Sequence, residues 1–118
     1  MTSVSRSEKT SDNETGNNHI LLAGPLKVDL QRYEVRLRGE EVRLTARELD
    51  LLAYLIRRAG SVASAEEIST AVWHGPTSTN TVTVHINRIR LKLGDDPQHG
   101  HMIRTVRGVG YRLAPSLC

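Results

Sequence analysis

The chain has 118 residues, 38% of them hydrophobic and 25% charged, with a formal net charge of +3 and one cysteine; that suffices for one small domain and a tail and leaves no room for a separate catalytic lobe. No run approaches the roughly 18 to 20 apolar residues that a membrane span needs, and the polar N-terminus lacks the apolar centre of a signal peptide, so a soluble cytoplasmic protein is expected. Cys118, the last residue, has no partner for an internal disulfide and suits a reducing compartment.

Met1 to His19 is rich in Ser, Thr, Asn and charge with almost nothing apolar, and reads as a disordered polar tail, dispensable for a domain expected over residues 20 to 118. Apolar residues from Leu21 to Leu44 then recur in short alternating segments broken at Gly24-Pro25, Gln31-Arg32 and Arg38-Gly39, which predicts an antiparallel sheet of three or four strands. Two capping boxes follow. Thr45-Ala46-Arg47-Glu48 opens a helix with Leu49, Leu52, Ile56 and Ala59 inward and Gly60 at its close. Ser64-Ala65-Glu66-Glu67 opens a shorter helix with Ile68 and Val72 inward, broken at His74-Gly75-Pro76.

The segment TVTVHINRIRLKL predicts a third helix over about 79 to 93. At 100° per residue, Val82, Ile86, Ile89 and Leu93 share one face, while Asn80, Val84, Asn87, Arg88 and Leu91 share the opposite one. Amide, guanidinium and aliphatic groups are the types that read base edges in a DNA major groove: Asn is suited to adenine, Arg to guanine, an apolar group to the thymine methyl. Taken alone, the segment also fits an ordinary amphipathic surface helix. Beyond a loop, however, Ile103 to Val106 and Tyr111 to Ala114 read as two strands joined by Arg107-Gly108-Val109-Gly110, with glycines where a tight turn needs positive φ. The fold class expected is α+β, a winged helix-turn-helix with an N-terminal antiparallel sheet, three helices and a C-terminal hairpin wing. Charge supports that layout. Residues 20 to 78 hold eight Lys/Arg against eight Asp/Glu, whereas residues 79 to 118 hold six (Arg88, Arg90, Lys92, Arg104, Arg107, Arg112) against Asp95 and Asp96. The excess lies where a phosphate-facing surface is expected.

In LTARELDLLAYLIRRAGSVASAEEISTAVW, NTVTVHINRIRLKL and IRTVRGVGYRL, the chain resembles the C-terminal effector domain of OmpR/PhoB-family bacterial response regulators from about Ile20 to Ala114. The resemblance implies a third helix in the major groove, a wing at the minor groove, and tandem half-sites of double-stranded DNA bound head to tail. It puts Arg88 and Arg90 where the family uses its helix arginines, His85 and Trp73 at backbone contacts, and Thr105 and Arg107 where the wing meets DNA. The loop 74–80 lies where some members touch RNA polymerase. Val84, Asn87 and Arg88 are therefore expected to read bases, Trp73, Asn80, Thr81, His85, Arg90 and Thr105 to touch the backbone, and Arg107 to enter the minor groove. Three features depart from the pattern. Thr83 replaces a usual acidic residue, Asn87 occupies a variable groove-facing position, and the phosphorylatable receiver that normally precedes this module is missing. The tail composition favours a free-standing regulator over an excised piece, controlled by abundance, partners or cooperative binding, monomeric in solution and dimeric on DNA.

Duller roles stand beside these. His85, at the margin of the buried stripe, fits a packed structural histidine as well as a phosphate ligand. Trp73 and Tyr111 read as core or boundary residues with polar tips, and Arg104 and Arg112 as solvated strand residues. His99 and His101, with His74 and Cys118, lack the ligand number and spacing of a zinc site. Gly108-Val109-Gly110 precedes a strand and not a helix, so it cannot cradle a pyrophosphate. No enzyme and no cofactor is expected. Single-strand or RNA binding is disfavoured by an aromatic content of 3%. The alternative is a winged-helix protein-interaction module, or an antagonist acting on a two-domain regulator or RNA polymerase.

Overall fold

Leu21, Val28, Val35 and Val42 meet side by side across four antiparallel strands, β1 (Ile20–Ala23), β2 (Leu26–Asp29), β3 (Glu34–Leu37) and β4 (Glu40–Val42), arranged in chain order. The computed structural model describes residues 19–96 and 100–117. The tail up to Asn18, His99 and Cys118 lie outside the described residues. Alternation sends Val28 and Val35 into the core and leaves Leu22, Lys27, Arg36 and Glu41 in one row on the outer face. The strands turn at the three predicted breaks.

The helix α1 (Ala46–Arg57) starts at the predicted capping box: Thr45 Oγ1 accepts from the Glu48 amide, and Glu48 Oε1 accepts from the Thr45 amide. Leu49, Leu52 and Ile56 are buried as expected, and so are Leu51, Ala53 and Leu55. Two-sided burial follows from position, because α1 packs on β1 on one side and on the other helices on the other. Ala59, expected inward on this helix, lies beyond its end, exposed and with φ +51°. The helix stops two residues earlier than its apolar periodicity suggested.

The second capping box also forms, Ser64 with Glu67, opening α2 (Ala65–Ile68), which continues as a π-helical turn, Ser69–Trp73. Ile68 and Val72 are buried, and His74 ends the element in a left-handed conformation. The third helix, α3 (Thr79–Lys92), is capped by Ser78, whose Oγ accepts from the Thr81 amide. Its stripe of Val82, Ile86, Ile89 and Leu93 is buried throughout. No helix among the described residues is long and apolar enough to cross a membrane.

Two strands, β5 (Ile103–Val106) and β6 (Gly110–Leu113), form the hairpin, with β6 one residue earlier than predicted. Ala63, just before α2, exchanges backbone hydrogen bonds of 2.8 and 2.9 Å with Tyr111 and so adds a third, one-residue strand that no sequence pattern announces. The two turn glycines serve different needs. Gly108 takes φ +77°, a conformation that side chains resist. Gly110 has no such φ; a Cβ there would collide with the Ala63 carbonyl, so its role is close approach of two backbones. Together these elements make a winged helix-turn-helix behind an N-terminal sheet.

Candidate nucleic-acid interface

The exposed side of α3 carries the expected trio. Arg88 is exposed, Val84 and Asn87 are half-buried beside it, and Leu91 continues the surface at 61% exposure. Asn80 is exposed on the first turn of α3, and the Thr81 hydroxyl shares a 2.8 Å hydrogen bond with Ser78 Oγ. The unpaired amides of the first turn give this end of the helix a partial positive charge.

Trp73 and His85, both expected at the DNA backbone, are brought together: their rings meet edge to face with centroids 5.0 Å apart. The Arg47 guanidinium lies 5.6 Å from the Trp73 ring and donates to the Val72 carbonyl. His85 Nδ1 donates to the Thr81 carbonyl at 2.8 Å, which fixes the ring and makes Nε2 the acceptor nitrogen of the neutral imidazole. His85 is thus packed against Trp73 and held by the backbone of its own helix.

Arg90, expected at the DNA backbone, is buried and held within the fold. It is 3% exposed, and its Nε and one terminal nitrogen donate to the Ile103 carbonyl at 3.0 and 2.8 Å. That terminal nitrogen also donates to Thr105 Oγ1 at 2.8 Å, and the other reaches Asn87 Oδ1 at 3.3 Å. Burial lowers the Arg90 pKa, while the Asp95 charge raises it in part. The physical reason for the burial is angular: at 100° per residue Arg90 sits about 70° from the centre of the buried stripe, nearer the core than the outward face. Its guanidinium joins α3 to β5.

A second link joins helix and hairpin. The Thr83 and Tyr111 hydroxyls share a 2.9 Å hydrogen bond, so the residue that departs from the acidic pattern serves as an anchor. Replacing Tyr111 by Phe should lower stability by about 1 kcal/mol, seen as a lower denaturation midpoint with an unchanged slope; an unchanged midpoint would show that the bond contributes nothing.

The loop from α3 to β5 is held by Asp95. Its carboxylate accepts from the amides of Asp96 (2.9 Å), His101 (2.7 Å), Met102 (2.9 Å) and Ile103 (3.4 Å). Burial opposes a charged Asp95, yet the amides outweigh it and hold the carboxyl below its ordinary value of 3.8. At the far end of α3, Lys92 Nζ lies 2.7 Å from Glu48 Oε1. Burial opposes the Glu48 charge too, but the Lys92 and Thr45 hydrogen bonds keep its pKa below 4.5.

These partners redistribute the basic excess. Arg90 is buried and Lys92 is paired. Arg104 and Arg112 sit directly opposite one another on the hairpin face turned away from Thr105 and Tyr111. Arg88 on α3 and Arg107 in the turn remain exposed and without an ion-pair partner among the described residues. Thr105 is exposed, with its hydroxyl engaged by Arg90. Val109, 55% exposed in the same turn as Arg107, was not a candidate from sequence. An apolar residue in a polar turn was its available signal.

Residues 39–113 match the family model described as "Transcriptional regulatory protein, C terminal". The sensory transduction protein RegX3 of Mycolicibacterium smegmatis is 36% identical over 112 residues, 93% of this chain and 49% of the relative. The probable transcriptional regulator ycf27 of Porphyridium aerugineum is 41% identical over 106 residues, 86% of this chain and 44% of the relative. The chain thus spans about half the length of the curated relatives it matches. Among solved structures, the Klebsiella pneumoniae RstA DNA-binding domain, crystallised in complex with the RstA box, superposes with TM-score 0.74 at 32% identity, over 81% of this chain and 97% of that one. The DNA-binding domain of CpxR from E. coli gives 0.72 at 30% identity, over 82% and 97%.

Proposed function

Since the chain belongs to the transcriptional regulatory protein C-terminal family, the DNA-binding effector module of OmpR/PhoB-type regulators, we propose that it reads duplex DNA with α3 in the major groove and the hairpin turn at the minor groove. One observation carries this reading. The outward face of α3, with Val84, Asn87 and Arg88, adjoins a hairpin locked to the same helix through Thr83–Tyr111 and Arg90–Thr105, and Arg88 and Arg107 stand exposed on the two parts. A surface so built supports simultaneous contact with two grooves. Base reading falls to Val84, Asn87 and Arg88. Asn80, Thr81, His85, Trp73 and Thr105 border the backbone, with Arg90 acting from inside the fold. The partner is double-stranded DNA with tandem half-sites, on which a solution monomer pairs. The segment 74–80, a loop up to the Ser78 cap and then the first residues of α3, is tied back by the Thr77 amide to Ser69 Oγ at 3.0 Å and is the segment left for RNA polymerase.

Arg107 provides the test. A·T-rich sequence narrows the minor groove and deepens its negative potential, so Arg107→Ala should cost about 1 to 2 kcal/mol on sites with an A·T-rich flank and clearly less on G·C-rich flanks, in matched salt. Titration of paired duplexes differing only in the flank measures it. Equal losses on both would place the turn over the backbone alone.

A further inference from the structure

We infer that Asn87 reads guanine and not adenine, because Arg90 turns the Asn87 amide so that its NH2 group, and not its carbonyl, is left for the groove. The inference rests on the proposed role of α3 in the major groove. Arg90 is fixed from the hairpin side, by the Ile103 carbonyl at 3.0 and 2.8 Å and by Thr105 Oγ1 at 2.8 Å. With those two anchors set, its remaining terminal nitrogen is aimed along α3 at Asn87 Oδ1, 3.3 Å away. A guanidinium only donates. The reverse orientation of the amide would set N–H against N–H, so the carbonyl is the end that faces Arg90. The Asn87 NH2 group has no acceptor among the described residues, and Asn87 is half-buried at the edge of the outward face.

The usual pairing of Asn with adenine needs both ends of the amide, the carbonyl for the N6 amino group and the NH2 for N7. Here the carbonyl end is turned toward Arg90, which takes one of its two lone pairs and swings the acceptor away from where the adenine amino group would have to lie. What remains is a donor edge, and the base that offers two acceptors side by side is guanine, through O6 and N7. Adenine would present its own amino group to the Asn87 NH2, and cytosine presents only a donor. Arg90 is accordingly a positioning residue: it never reaches the DNA, yet it selects what Asn87 accepts and couples that choice to the wing through Thr105.

The test uses a duplex bound specifically by the full chain, with all four base pairs placed in turn at the position where Asn87→Ala abolishes preference. The wild type should bind guanine there at least about fivefold more tightly than adenine. Asn87→Asp, of the same shape but accepting only, should lose the guanine preference and gain for cytosine. Arg90→Lys should free the amide and bring adenine to within about twofold of guanine. Adenine preferred by the wild type, a guanine-to-adenine ratio untouched in a folded Arg90→Lys variant, or no position at which Asn87→Ala changes preference would each overturn the assignment. The wild-type ratio and Asn87→Asp decide it even if Arg90→Lys does not fold. Failure to bind any duplex specifically would instead overturn the DNA-reading role itself.

Discussion

Replacing Arg88 with alanine is expected to cost about 1 to 3 kcal/mol of binding free energy on the preferred duplex and to relax preference at one base position. Non-specific affinity should fall much less. The expectation follows from its surroundings: Arg88 is exposed on α3 and no group among the described residues takes its guanidinium, so its forked donors are free for the two acceptors of a guanine. Competition titrations of wild type and variant against specific and random duplex separate the possibilities. Equal losses on both would move Arg88 to the phosphate backbone and leave Val84 and Asn87 as the readers.

The largest effect on stability is expected at Asp95. Its carboxylate accepts from three amides of the loop that joins α3 to the hairpin and from that of Ile103, the first residue of β5, and removing it leaves those part-buried and buried donors without their acceptor. Asp95→Ala should therefore lower unfolding free energy by about 3 kcal/mol. The pH dependence carries a sign. The folded pKa of Asp95 lies below its unfolded value, near 3.8, so the stabilisation is complete above that value and is lost as pH falls through the folded one. Glu48 behaves alike below 4.5. Acid denaturation should thus narrow the gap between wild type and Asp95→Ala, the variant losing less stability than the wild type as pH falls from 5 to 3. A gap that stays constant over that range would mean that the carboxylate charge does not hold the loop.

Local patterns made most of the fold legible. Periodicity gave the buried stripe of α3, both capping boxes formed at the predicted residues, and the three breaks of the N-terminal sheet fell where Gly, Pro and polar pairs interrupt the apolar alternation. What stayed hidden depends on residues far apart in the chain. The strand contact of Ala63 with Tyr111, the collision that excludes a side chain from Gly110, and the Thr83–Tyr111 bond all arise only when the hairpin returns to α2 and α3. Ala59 continued the apolar period of α1, but the helix ended at Arg57 and the chain turned left-handed. At the interface, the outward positions of Arg88 and Arg107 were readable from helix and turn geometry. Arg90 was not, because charge suggested solvent while its place at the edge of the buried stripe and the carbonyl of Ile103 drew it in. The basic excess that sequence assigned to one surface is in fact divided: Arg90 is a buried anchor, Lys92 is in an ion pair, Arg104 and Arg112 share one hairpin face, and Arg88 and Arg107 stand exposed on α3 and in the turn.

Selection of bound duplexes from a random pool, run in parallel for the wild type and for Arg88→Ala, tests the central claim most directly. The wild type should enrich a repeated half-site in head-to-tail orientation, and Arg88→Ala should lose the enrichment at one position of that half-site while retaining the flank preference owed to Arg107. A pool that stays random with the wild type, or an enriched site that Arg88→Ala recovers unchanged, would contradict a reading surface made of α3 and the hairpin turn.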